Sequence, residues 1–303
     1  MERHIRSDLG GVEPPTGNRR RGGAGKRLAP YGLLAAAGLW QLVFFIAPML
    51  AMVTLSLSTG TSRTGFVFSW AFGNYPDVVH RYGEFFFRSF RNATIVTVLG
   101  LLIAYPAAYW IAFYGGKRKS TYLLLLLLPF FVSFVIRTLS WSFIFSDVGF
   151  VLGTLKNWGV LPHDFKILNS TPAVIAGITY NLLPFTTLPL FVALDRIDKR
   201  LVEAASDLYA SKREAFRKVV FPLSLPGVFA AVLLTFIPAV GDYVNAEVLG
   251  GPGTLMLGNQ IQSEFLRFGS YGRASALGFI LMILMVIGAI AYARFLGTEE
   301  ITT

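Results

Sequence analysis

The sequence has 303 residues, of which 54% are hydrophobic and only 15% charged, with a formal net charge of +10 and no cysteine. An ordinary soluble domain carries about 25% charged residues, so this balance excludes a typical soluble enzyme, and the missing thiols exclude disulfide frameworks, iron–sulfur clusters and cysteine nucleophiles. The histidines, His4, His80 and His163, lack the HExxH-type spacing of a zinc helix. Apolar residues come in blocks of about twenty, the length that a bilayer about 30 Å thick requires of a helix. The chain reads as an integral membrane protein.

In chain order, residues 1–30 hold Arg3, Arg6, Arg19, Arg20, Arg21, Lys26 and Arg27 among Pro and Gly, and read as a disordered basic tail. The apolar stretch from Tyr31 to Leu57 far exceeds the roughly 7–15-residue core of a signal peptide, so it is expected to stay as a first transmembrane helix. Five more spans follow at about 90–114, 121–145, 171–194, 221–244 and 274–296, leaving 297–303 as a second tail. Six spans place both termini on one side. With the termini inside, the inner segments hold 18 of the 27 Lys/Arg, and such positive segments are held in the cytoplasm. The net charge is therefore an orientation signal, and no nucleic-acid partner is expected. The opposite loops, 58–88, 146–170 and 245–272, carry aromatic and Gly/Pro punctuation and read as small re-entrant or interfacial elements. Within the third span, Arg137 is expected to pair with an acid or with helix-end carbonyls. Phe85 to Phe87 and Phe130-Phe131 read as interface or packing aromatics rather than a stacking cage.

The longest inner loop, about 195–220, carries the most information. Leu201, Ala204, Ala205 and Leu208 recur at i, i+3, i+4 and i+7, which makes one apolar stripe on a short amphipathic helix. Ala210-Ser211 breaks it, and Ser211 with Glu214 three residues on has the spacing of a capping box for a second helix. Pro222 and Pro226 then restart the chain at the membrane surface. Such a helix-turn-helix is built to dock against something.

At these residues the sequence resembles the permease subunits of binding-protein-dependent ABC importers. Their cytoplasmic signature EAAxxxGAxxxxxFxxxxLPxxxPG is matched at Glu203, Ala204, Ala205, Ala210, Phe216, Pro222, Pro226 and Gly227. The resemblance implies that Glu203, Ala204, Ala205, Ser206, Asp207, Leu208, Tyr209 and Ala210 form the ATPase-coupling segment, with Glu203 paired to a donor on the ATP-binding subunit. Tyr209 stands where the family has glycine, and a bulky residue adopts positive φ only at a cost. The turn is therefore expected to stay helical through Tyr209 or to take another angle. Pro106-Ala107-Ala108-Tyr109, the run from Pro129 to Trp141 and the segment Gly241 to Gly251 resemble the spermidine/putrescine branch, with opine and phosphonate carriers as similar-looking relatives.

The resemblance implies an all-α membrane protein of the type I ABC importer permease fold, with six transmembrane helices, in a bacterial plasma membrane. It implies two copies of an ATP-binding subunit, a second permease that is homologous rather than identical, an extracytoplasmic solute-binding protein, and membrane lipid around this chain. The chain has no catalytic residues or metal ligands to assign and is expected to bind no cofactor. Gly115-Gly116-Lys117-Arg118 lacks the GxxxxGK[ST] spacing, so ATP and Mg belong to the partner ATPase. For a polyamine, carboxylates suit the ammonium groups and aromatic faces the methylene chain. Asp242, Tyr243 and Glu247 offer this near the outer mouth, with Trp141 and Tyr180 as wall residues; the alternative for the two acids is pairing with Arg267 or Arg273. An intramembrane enzyme lacks a buried nucleophile and base, and a self-contained secondary transporter lacks a visible repeat of one half in the other.

Overall fold

A computed structural model of the chain describes residues 25–296; the remainder of both expected tails lies outside the described residues. The chain divides into two units, Met1–Ala51 and Met52–Thr303. In the first, the described residues belong to helix α1 (Gly25–Ser56). Leu39, Trp40, Leu42, Val43, Phe44 and Phe45 are exposed on it, with Trp40 and Phe44, one turn apart, 4.2 Å between ring centroids. The last turn of α1 belongs to the second unit.

The second unit opens on a feature that an all-α expectation does not contain, an antiparallel hairpin of β1 (Ser58–Thr61) and β2 (Gly65–Phe68) with Ser58 opposite Phe68 and Thr61 opposite Gly65. Gly60 and Gly65 turn the chain at φ 109° and 82°, a region open to glycine, and Phe66-Val67-Phe68 supplies residues that favour strands. Helix α2 (Asn74–Tyr114) follows. It begins well before the expected span, because residues 74–89 are amphipathic rather than apolar. Val78, Tyr82 and Ser89 are buried there, while Asp77 pairs with Arg81 and Glu84 with Arg88 one turn apart. A hydropathy window registers the second face and misses the first.

The third expected span is broken. Helix α3 (Lys119–Leu127) runs into a 3₁₀ turn at Leu128–Phe131, and α4 (Phe134–Phe145) departs at 86° from that first segment. Pro129 and the extended backbone at Val132 and Ser133 account for the break. After α5 (Phe150–Asn157), helix α6 (Thr171–Asp195) is capped by the Ser170 hydroxyl. Then come α7 (Lys199–Asp207), α8 (Lys212–Ala215), a π-helical turn over Phe216–Val220 and α9 (Phe221–Val240). Pro222 has no N–H, and the widened turn precedes it. The chain ends through α10 (Val244–Leu249), α11 (Leu257–Gln262), a second π turn and α12 (Tyr271–Leu296). Among the described residues, five helices are long and apolar enough to cross a membrane, or six if the bent pair is one span.

Helices α2, α6 and α9 form the centre of the second unit. They approach closely where side chains are small, the usual solution where lipid offers no hydrophobic drive. A Cβ on Gly227 of α9 would lie 2.3 Å from the Ala193 Cβ and 2.8 Å from the Pro189 carbonyl oxygen of α6. Gly100 of α2 faces Thr186 of α6, whose hydroxyl lies 2.8 Å from that of Thr235 on α9. One buried cluster, with Ala108, Leu190, Leu194 and Val220, lies toward α7; another, with Val96, Ile178, Val240 and Leu249, lies toward α10.

Candidate functional site

The loop between α6 and α9 is built as two capped helices. Asp198 caps α7 by accepting from the Arg200 N–H at 3.0 Å. Ser211 and Glu214 make the expected capping box, with Glu214 N–H donating to the Ser211 hydroxyl at 3.3 Å and Ser211 N–H to the Glu214 carboxylate at 2.9 Å. One face of α7 is seated: Val202 packs on the Leu190/Leu194/Val220 cluster, and Lys199 donates to the Phe113 carbonyl at the end of α2 at 2.9 Å. The base of the loop is tied by an ion pair between Lys119 and Asp195. The other face is bare. Leu201 is exposed, Leu208 is 82% and Tyr209 98% exposed, Glu203, Ala204, Ser206 and Asp207 lie on the surface, and Ala205 and Ala210 are half-buried. The apolar stripe thus points away from the body that holds the helix.

Tyr209 differs from expectation. Its φ is +61°, the left-handed conformation that a glycine takes in such a turn. Tyr209 N–H donates to the Ser206 carbonyl and Ala210 N–H to the Ala205 carbonyl, each at 3.0 Å, the paired bonds of a Schellman motif. The helix stops as it would with glycine, and the two bonds hold the tyrosine there against its local strain.

At the opposite end of α9 lies a buried polar network. Asn181 of α6 donates to the Thr138 hydroxyl of α4 at 3.1 Å and to the Asn245 side-chain oxygen of α10 at 3.0 Å, and Thr138 donates to the same oxygen at 3.1 Å. Asn245 in turn gives its backbone N–H and its amide to the two carboxylate oxygens of Asp242, at 2.9 and 2.8 Å. Asp242 therefore folds over the start of α10 and, among the described residues, pairs with no arginine. Glu247 is exposed, bonded to Arg267 at 2.9 Å and to the Asn259 amide at 3.1 Å, while Arg273 pairs with Asp77. Tyr243 is exposed, and its carbonyl receives the Asn259 amide.

Trp141 and Tyr180 meet edge to face with centroids 5.2 Å apart, and Tyr180 stacks on Phe130 at 5.5 Å. This aromatic group and the acids are two sets, joined through the adjacent residues Tyr180 and Asn181. Arg137 departs from expectation: its guanidinium lies 4.5 Å over the Phe130 ring, with Nε and Nη1 buried and without hydrogen-bond partners among the described residues. Among the described residues no acid pairs with it; the 3₁₀ turn and α4 present the Phe130 and Phe134 rings instead, and Phe130 serves as a stacking face. Sequence reasoning missed Thr138, Asn181 and Asn245 as a set. Polar residues in the middle of apolar runs were the available signal.

Residues 100–296 match the family described as binding-protein-dependent transport system inner membrane component. The chain belongs to that family. It is 34% identical over 256 residues to the spermidine/putrescine transport system permease protein PotB of Haemophilus influenzae, covering 84% of this chain and 90% of that relative. It is 31% identical over 256 residues to the PotB protein of Escherichia coli, covering 84% and 93%. The fold is similar to a chain of a bacterial ABC transporter involved in the import of the acidic polysaccharide alginate, with a TM-score of 0.68 at 18% identity over 92% of this chain and 98% of that one. The stretch matched to the permease family contains the α7–α8 loop and the Asn181–Asn245 network and leaves out α1, the hairpin and the start of α2.

Proposed function

We propose that this permease subunit forms half of the translocation pathway for a polyamine, spermidine or putrescine, with six spans and both termini in the cytoplasm. The observation that carries the reading is the α7 surface. A helix anchored on one face by Val202 and Lys199 presents Leu201, Leu208, Tyr209 and an exposed Glu203 on the other, a preorganised seat for an ATP-binding subunit. One such seat per chain calls for two ATPases under a pair of permeases, the second a homologous chain, fed by an extracytoplasmic solute-binding protein. ATP and Mg act in the ATPases, and this chain binds no cofactor. When they close, α7 moves with the α6–α9 unit to which it is packed, and the pathway alternates between inward-open and outward-open states.

The solute is read from the relatives' names and from side-chain chemistry. Glu247 and Asp242 attract ammonium groups near the outer mouth beside Tyr243, and the Trp141–Tyr180 faces take the methylene chain. One observation favours a different small solute of the same importer class, such as an opine or phosphonate: the Arg137 guanidinium beside Tyr180 repels a polycation and suits an anionic group. The deciding experiment is ATP hydrolysis by the lipid-embedded complex with its binding protein. Stimulation by spermidine or putrescine that Glu203→Ala weakens is the expected result. Hydrolysis indifferent to polyamines but raised by a phosphonate moves the solute, and a complex without an associated ATPase overturns the reading.

A further inference from the structure

The chain between α1 and α2 carries an exposed apolar surface outside the α7 loop and the Asn181–Asn245 network. From Thr64 to Pro76 there is no charged residue, and Phe66, Val67, Phe68, Trp70 and Phe72 are all exposed, Val67 and Trp70 at 64% each. Every residue of β2 is exposed, so the apolar surface continues on both faces of the strand. Phe68, Trp70 and Phe72 form a ring ladder with centroids 4.9 and 6.0 Å apart. Phe66 stacks on Tyr271, which stacks on Phe265, at 4.8 and 4.6 Å, and Leu266 and Phe268 stand exposed beside them. Trp70 has φ +49°, an outlier for a bulky residue. Flanking bonds from the Ser69 and Ala71 N–H groups to the Leu57 carbonyl, at 3.3 and 2.9 Å, hold it in place. The fold thus accepts local strain to turn an indole outward.

The position of this surface identifies its occupant. Two helices long and apolar enough to cross a membrane end here, α1 at Ser56 and α12 at Tyr271, and the amphipathic start of α2 at Asn74 lies against them. The Asn74 amide donates to the Ser56 and Ser58 carbonyls at 2.8 and 3.1 Å, and Ser62 N–H donates to the Gly269 carbonyl at 3.0 Å. The ring ladder is therefore fixed at the level where helices leave the hydrocarbon, on the face opposite α7, which contacts the far end of α2. Amphipathic rings concentrate at that level of a bilayer. A patch exposed on both faces of a strand is immersed by a fluid medium, whereas one protein surface covers one face.

We infer that the hairpin and the Trp70 turn are an interfacial anchor, seated in the headgroup layer of the leaflet remote from the α7 loop, and that its ligand is membrane lipid rather than a soluble partner. The absence of cysteine from the chain makes the test direct. The full complex carrying Val67→Cys, labelled with an environment-sensitive fluorophore and compared with unsubstituted complex for background labelling, is placed in vesicles of ordinary or brominated phosphatidylcholine, without and with the solute-binding protein. The expected result is a blue-shifted emission that brominated lipid quenches and aqueous iodide does not, before any soluble protein is added. Phe72→Cys gives an independent reading if the first substitution disturbs the hairpin. Quenching by iodide alone, or protection from iodide that appears only with the binding protein, overturns the inference, the latter assigning the surface to that protein.

Discussion

Replacing Tyr209 separates backbone strain from side-chain contact at the α7 turn. The side chain is 98% exposed, so Tyr209→Ala removes almost no packing and leaves a non-glycine residue at φ +61°. Tyr209→Gly removes the strain as well. A left-handed conformation costs a non-glycine residue about 1–2 kcal/mol, and glycine returns roughly 0.5–1 kcal/mol through its freer unfolded chain. The net gain of glycine over alanine is about 1 kcal/mol, or about fivefold in an opening equilibrium. Hydrogen exchange reads it at the Tyr209 and Ala210 amides, whose bonds to Ser206 and Ala205 close the turn. Both amides should exchange about fivefold more slowly in the glycine variant than in the alanine variant, with wild type close to alanine. Equal or faster exchange in the glycine variant would refute the argument. If ATPase stimulation then falls equally in both variants, the exposed phenol is a docking contact and the turn only its mount.

Gly227→Ala puts a methyl within 2.3 Å of the Ala193 Cβ and 2.8 Å of the Pro189 carbonyl; it should destabilise the lipid-embedded complex by about 1–3 kcal/mol, seen as a lower thermal unfolding midpoint. Asn181→Leu removes two hydrogen bonds, to Thr138 and Asn245, along with a buried unpaired oxygen; the expected loss is about 1 kcal/mol, checked by the same melt.

The α7 loop was readable because its signals are local. A stripe at i, i+3, i+4 and i+7 and a Ser-x-x-Glu box depend only on spacing, and both appear where the letters place them. Tyr209 was misjudged because the cost of positive φ was visible while the two bonds that offset it were not. The start of α2 was missed for a related reason: Val78 and Tyr82 are buried by α11 and α12, partners nearly two hundred residues away. The break in the third span and the stacking of Arg137 on Phe130 come from three-dimensional placement of a proline and a ring, and an apolar run with one arginine reads the same whether it is straight or bent. The hairpin was hidden by its shortness, four residues a strand, beneath the aromatic punctuation that marked a small re-entrant or interfacial element without its strands.

The π turn at Phe216–Val220 has a consequence for how such a loop changes over time. A helical turn with a residue to spare is a site where one residue can be deleted while the helix that follows keeps its register. Removing it would leave the contacts of α9 with Pro189 and Thr186 in place and swing α8 around the axis by about 100°, drawing it in by about 1.5 Å. The azimuth of α8 is thus an adjustable quantity, set by the length of one turn, while the register of α9 stays as it is.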